Sequence, residues 1–396
     1  MLAGTTEPRC PLNNLFSRFA ARQTHQHFAS LDAPAIMPSL VRSILLLTAL
    51  IFPGTCLAEE EYAIGADVSF LAEAETKGIV YKENGVAKPG LQIFKDHGYN
   101  WVRLRLFHSP DRLPNDLEYT IAAAREAKAL GFKFLLNYHY SDTWADPAKQ
   151  FTPRDWEGLS HEELVGAVHD YTRDTMVAFR EAGAMPDMVQ IGNEVIGGML
   201  WPDGKLPRRW KEFADLLKAG IRGMDAGCGE TPRPLVMIHI DRGGDLAATK
   251  SFFNHCVEYG VEFDVIGQSY YPWWHGSLDD LRANLDFMAN TYPQDIMLVE
   301  VAYNWRRAEY RDKPGPFPET PAGQAEFLAQ VDQAVRDTPH GKGKGIFWWE
   351  PAVSPSPIAG RGMFDEQGNV LPVINVFDRY ANPLGSALPA KVAAEK

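Results

Sequence analysis

From Tyr62 onward the sequence alternates short apolar runs with amphipathic segments of helical period, and it does so about eight times. The apolar runs are Tyr62–Asp67, Trp101–Phe107, Lys133–Tyr138, Met188–Asn193, Pro234–His239, Phe263–Tyr270, Ile296–Val301 and Gly345–Trp349. Strand–helix alternation of this kind implies parallel strands joined by crossover helices. Eight such units favour closure into a single (β/α)8 TIM barrel, an α/β fold that leaves no unpaired edge. A doubly wound open sheet is the alternative. It usually carries a Gly-rich phosphate loop after its first strand, whereas Asp67-Val-Ser-Phe-Leu71 follows here. The helical segments have legible ends. Asn115 or Asp116 caps the segment that Gly131 stops, and Ser160-His-Glu-Glu163 is a capping box opening a helix that runs to Gly183. Further helices are expected over 209–225, 249–259, 278–291 and 321–336.

Barrel enzymes carry their working groups at the C-terminal ends of the strands. Here those ends read Asp67, Arg103 and Arg105, His139, Asn193-Glu194, His239 and Asp241, Tyr270-Tyr271, Glu300, and Trp348-Trp349-Glu350. Each has a bland reading when taken alone. A strand-end Arg commonly pairs with a neighbouring acid, and a lone His is more often a hydrogen-bonded core group than a catalyst. Eight polar strand ends converging on one mouth are harder to dismiss. Glu194 ends the fourth strand and Glu300 the seventh, so the two carboxyls face each other across the barrel. Glycosidic bond cleavage uses such a pair: one acid protonates the leaving oxygen and the other meets the oxocarbenium-like centre, at about 5–5.5 Å separation in retaining enzymes. Arg103 can hold the nucleophile ionised, and a nearby Tyr can donate to it.

Metal-assisted hydrolysis is the competing chemistry, because His139, His239, Asp67 and Asp241 are all capable ligands. No His-x-His pair follows the first strand and no HExxH occurs, and both histidines also suit sugar hydroxyls.

At this point the chain resembles glycoside hydrolase family 53, the endo-β-1,4-galactanases, within a large clan of retaining barrel glycosidases. The matching stretches are Gly65-Ala-Asp67, Trp101-Val-Arg-Leu-Arg-Leu-Phe107, Tyr138-His-Tyr-Ser-Asp-Thr-Trp-Ala-Asp-Pro147, Gln190-Ile-Gly-Asn-Glu194, Leu200-Trp-Pro-Asp-Gly204, Met237-Ile-His-Ile-Asp241, Gly267-Gln-Ser-Tyr-Tyr-Pro272, Val299-Glu300 and Phe347-Trp-Trp-Glu-Pro351. The Tyr138–Pro147 block is the specific one; Asn-Glu alone is shared with cellulases and mannanases. The resemblance implies that Glu194 is the acid/base and Glu300 the nucleophile, a distinction that spacing does not make. It also implies that Asn193 contacts the 2-hydroxyl of the reacting sugar, that Arg103 and Tyr271 support Glu300, and that an aromatic from Trp348-Trp349 floors the adjacent subsite. Asp67, His139, Asp142, Trp144, Asp146, Trp201, His239 and Asp241 are further candidates for substrate contact or support, with loop stabilisation the bland alternative for Trp144 and Asp146. Some bacterial members of that family carry a calcium site in a longer loop after the nucleophile. The segment after Glu300 is compact and offers no recognisable acidic ligand set, so calcium is not predicted and no cofactor is required.

The expected substrate is β-1,4-galactan, including the galactan and arabinogalactan side chains of pectin. The alternatives are a β-1,4-mannanase or cellulase of the same clan, or a non-catalytic carbohydrate-binding barrel. A hydrophobic fraction of 45% supports a large core, and the 10 Trp, 14 Tyr and 21 Phe include several in polar surroundings, as sugar-stacking surfaces do, although aromatics more often fill cores. The net charge of −12 argues against nucleic acid and anionic membranes as partners.

The N-terminus differs from the rest. Met37-Pro-Ser-Leu-Val-Arg42, the apolar Ser43–Phe52 run and Pro53-Gly-Thr-Cys-Leu-Ala58 have the layout of a secretory signal peptide. The apolar run is too short for a comfortable membrane span. Residues 1–58 therefore read as an N-terminal extension and signal peptide, with Met37 a candidate start and cleavage near Ala58. The product is expected to be secreted or periplasmic and monomeric. Residues 59–381 form the catalytic domain and 382–396 a flexible tail. Of four Cys, Cys228 and Cys256 lie beyond the cleavage point, allowing at most one disulfide.

Overall fold

The computed structural model describes residues 61–307, 315–352 and 358–381. The signal peptide and the C-terminal tail expected from the sequence lie outside the described residues, as do residues 308–314 of the segment after Glu300.

Eight parallel strands close into a barrel: β1 Ala63–Asp67, β2 Trp101–Leu106, β3 Lys133–Tyr138, β4 Met188–Ile191, β5 Leu235–Ile240, β6 Val265–Tyr270, β7 Asp295–Val301 and β8 Gly343–Trp348. Each pairs with its sequence neighbours, and β1 also pairs with β8. Every strand run read from the sequence is present. The Ser160–Glu163 capping box opens the helix His161–Glu181, and Asp116 rather than Asn115 accepts from the Tyr119 amide to start Leu117–Ala129. A second capping box, Ser277 with Asp280, starts Leu278–Thr291. Cys228 and Cys256 are both free and buried. No helix among the described residues is long and apolar enough to cross a membrane.

The period-2 alternation of strands sorts the side chains into two cores. One set, including Val102, Leu104, Phe134, Leu136, Val236, Ile238 and Ile346, faces outward and packs under the helices. The other plugs the lumen, and all eight strands contribute to it: Ala63, Trp101, Leu135, Met188, Met237, Val265, Met297 with Val299, and Phe347. Two residues further along, the same inward phase turns polar, giving Arg103, Asn137, Gln190 and His239, and on β6 the next inward position after Gly267 gives Ser269, all buried. Buried charge and amide are tolerated only when paired, so this upper layer has to be a network.

On β7 strict alternation would place Glu300 outside, because Met297 and Val299 already face the lumen. A register shift against β6 between Gln268 and Ser269 resolves this: Gln268 pairs with Leu298, but Ser269 pairs with Glu300. The extra residue resets the phase and turns Glu300 inward, the way bulges commonly re-aim a side chain beside a site.

Candidate active site

The strand ends surround a cleft of about 670 Å³ whose lining includes Arg103, His139, Asn193, Glu194, Asp241, Tyr271, Glu300 and Trp349. Glu194 and Glu300 reach it from β4 and β7. Glu194 follows Gly192 (φ +80°) and itself adopts the left-handed conformation, φ 49°, ψ 50°. A non-glycine residue held there marks a position over-determined by its surroundings. Oxygens of the two carboxyls approach within 4.8 Å of one another.

The two acids have different neighbours. Glu300 Oε1 lies 2.8 Å from Arg103 Nη1, and Tyr271 donates its hydroxyl to Oε2 at 3.1 Å. Among the described residues, Glu194 meets no cation at bonding distance. Its Oε1 accepts from Ser269 Oγ at 2.7 Å. Burial pushes the Glu194 carboxyl well above the usual range, and the Glu300 and Asp241 charges push it further. Burial also raises Glu300, but there the Arg103 guanidinium pulls back toward the charged form. The shared proton therefore belongs on Glu194 and the charge on Glu300.

Arg103 is the hub. It bonds Asp67 Oδ2 (2.9 Å), Gln190 Oε1 (3.2 Å) and Asn193 Oδ1 (2.8 Å) as well as Glu300. Burial raises the Asp67 carboxyl, but Arg105 and Arg103 outweigh it and hold the group ionised. Asn193 donates through Nδ2 to the Ala145 carbonyl at 2.9 Å, using one of its two N–H donors. Burial pushes His139 and His239 well below their ordinary range, so both are neutral. His239 accepts from Gln190 at Nδ1 (3.2 Å) and meets Ser269 Oγ at Nε2 (2.8 Å). Because Ser269 donates onward to Glu194, His239 carries its proton on Nε2. Asp241, beside Arg242, is raised to about 6 by burial.

Of the residues singled out from the sequence, Arg103, His139, Trp144, Asp146, Asn193, Glu194, Asp241, Tyr271, Glu300 and Trp349 line the cleft. Asp67 and His239 sit just beneath it. Three do not reach it. Trp348 faces the outer core, 1% exposed, and donates Nε1 to the Arg361 carbonyl, because the lumen phase of β8 runs through Phe347 to Trp349. Trp201 lies in a neighbouring groove with Phe151 and Trp156, its Nε1 on the Gly197 carbonyl. Asp142 clasps loops, accepting the backbone amides of Ser109 and Arg154 at 3.0 Å each.

Sequence reasoning passed over Ser269, Gln190 and Asn137, uncharged residues inside strands. Their one signal was a polar side chain in phase with the apolar lumen positions Met188 and Leu135. It also left Trp274, 60% exposed yet lining the cleft, unassigned.

Glu194, His239 and Glu300 bring three potential ligand atoms within 4.8 Å of each other. All three are already engaged: both ring nitrogens of His239 have partners, and Glu300 faces a guanidinium. That donor set suits a proton-transfer pair better than a divalent ion.

Ser269→Ala is expected to raise the Glu194 pKa further, because a donor to the charged form is lost. The basic limb of the pH–kcat/KM profile, where the acid deprotonates, should then move to higher pH. An unmoved basic limb would argue against the Ser269–Glu194 bond.

Comparison with known proteins finds a family match. The family model described as Glycosyl hydrolase family 53 matches residues 63–377. The uncharacterized protein in the bgaB 5′ region of Niallia circulans is 43% identical over 319 residues, 76% of this chain and 86% of its own length. An arabinogalactan endo-beta-1,4-galactanase of Thermothelomyces thermophilus is 34% identical over 333 residues, 80% of this chain and 98% of its own. Among solved structures, the Ignisphaera aggregans GH53 catalytic domain superposes with a TM-score of 0.76 at 34% identity, covering 83% of this chain and 98% of that one.

Proposed function

Because the chain belongs to glycosyl hydrolase family 53, we propose that it is a secreted endo-β-1,4-galactanase that hydrolyses galactan and arabinogalactan side chains of pectin with retention of configuration. The observation that carries this reading is the carboxyl pair whose facing oxygens lie within 4.8 Å, in keeping with the short separation of retaining enzymes, with one acid beside a cation and the other without. The galactanase named among its relatives supports the substrate, and the signal-peptide pattern before Ala58 supports export to the periplasm or medium. All the groups the proposed reaction uses are side chains of this chain, so the proposal calls for no cofactor and no residue from a second subunit.

In the first step a Glu300 carboxylate oxygen bonds to the anomeric carbon as the glycosidic C–O bond breaks. Glu194 gives its proton to the departing oxygen. Esterification removes the negative charge of Glu300, which is one of the charges raising the Glu194 pKa. Glu194, now ionised, falls back in pKa and takes a proton from water as that water attacks the same carbon, releasing Glu300. Trp144 and Trp349 offer apolar faces for the sugar rings.

Purified protein acting on linear β-1,4-galactan should release oligosaccharides before monosaccharide. Proton NMR of the first products should show the β-anomer ahead of mutarotation. First-formed α-anomer would exclude retention, and faster release from mannan or carboxymethylcellulose would reassign the substrate.

A further inference from the structure

Beneath the cleft a continuous line of ion pairs ends on a carboxylate that the reaction does not use. Glu350 Oε1 lies 2.5 Å from Arg105 Nη1, and Arg105 Nη2 lies 2.9 Å from Asp67 Oδ1. Asp67 Oδ2 then meets Arg103 Nη1 at 2.9 Å, and the same Nη1 meets Glu300 Oε1 at 2.8 Å. None of the five side chains is more than 6% exposed. A buried chain of alternating charges holds only as a set, since loss of one member leaves its neighbour uncompensated. Glu350 is also fixed in the left-handed region, φ 53°, a conformation a non-glycine residue keeps only where its surroundings impose it.

The same residue is linked to both aromatic walls, to one along the chain and to the other through Arg105. It directly follows Trp349, whose backbone N–H is tied to the Val301 carbonyl at 2.9 Å. Its partner Arg105 lies with the guanidinium 4.3 Å from the centre of the Trp144 ring. The Trp144 and Trp349 rings stand 6.3 Å apart in the cleft.

We propose that Glu350 is a positioning residue for the reacting sugar: through Arg105 it fixes the Trp144 wall and steadies the Asp67–Arg103 pair against Glu300. This rests on the reading of Glu300 as nucleophile. Glu350 makes no contact with the reacting atoms. It sets where the wall and the guanidinium stand, and a small misplacement of such groups can lower the rate by roughly 100-fold.

Glu350→Gln keeps the shape and removes the charge. Its kcat on galactan is expected to fall roughly 10- to 100-fold. Burial raises the Glu350 carboxyl to about 7 against the pull of Arg105, so Glu350→Gln removes a charge that the wild type carries above that pH and has largely neutralised below it. The kcat loss should be greatest at alkaline pH and shrink as the pH falls. Glu350→Asp keeps the carboxyl but shortens the reach, and is expected to lower kcat. Wild-type kcat in either variant would overturn the proposal. So would a Glu350→Gln loss that tracks a lower melting temperature and is the same at every pH, since that describes structural support alone. If Glu350→Gln does not fold, Glu350→Asp decides by its kcat. Failure of the underlying reading has a different signature, namely activity retained in Glu300→Ala.

Discussion

Glu300→Ala is expected to lose on the order of 10^4- to 10^6-fold in kcat on galactan, the range seen when a hydrolase loses its nucleophile. The fold should survive. Arg103 keeps Asp67 at 2.9 Å and its bonds to Gln190 and Asn193, so its charge stays compensated when the Glu300 carboxylate is removed. Tyr271 loses an acceptor but sits at the cleft, where water can take that place. The shortened side chain also opens room beside the anomeric carbon for a small anion. Sodium azide should therefore restore turnover on a substrate with a good leaving group. Azide attacks from the Glu300 side in a single displacement, so the product should be the α-galactosyl azide. Wild-type-like turnover without azide would remove Glu300 from the mechanism, and a β-azide would reverse the two roles.

The barrel itself was legible because each strand is a short apolar run and several helices start on a capping residue such as Ser160 or Asp116. Which strand-end residues face the cleft was less legible, because that depends on phase. For β8 the phase can be followed: Phe347 sits in the lumen plug, so Trp349 points into the cleft and Trp348 cannot. For β7 it cannot, because the Ser269–Glu300 register shift that turns Glu300 inward leaves no local mark in the sequence. Glu300 entered as a candidate through its place at a strand end and through family resemblance, not through periodicity. Trp201 and Asp142 lie in loops, where no period applies and only tertiary contacts decide direction. The network beneath the cleft was hidden for another reason. Gln190 bonds Asn137, and Ser269 joins them through His239; single-residue chemistry does not reveal a group whose role exists only in company.

Glu194→Ala should behave differently from Glu300→Ala, and the difference tests the assignment of roles. Removing a general acid costs about 10^2- to 10^4-fold, or roughly 2.7–5.4 kcal/mol of transition-state stabilisation, and the cost falls on the leaving group. Natural galactan, whose departing sugar hydroxyl must be protonated, should feel the whole effect. An aryl β-galactobioside with an acidic phenol needs little protonation, so its first step should remain close to wild type. The intermediate on Glu300 would then accumulate, because no base is left to activate water. Azide needs no base. It should speed turnover of the aryl substrate and give the β-galactosyl azide, the product of two inversions at one carbon. The surroundings of Glu194 favour this outcome: burial and the Glu300 and Asp241 charges favour the protonated form the proposed acid needs, and they outweigh the pull of the Ser269 hydroxyl bonded to it. Equal losses on galactan and on the aryl substrate would mean that Glu194 does something other than protonate the leaving oxygen. An α-azide from this variant would place the displaced nucleophile here and not on β7.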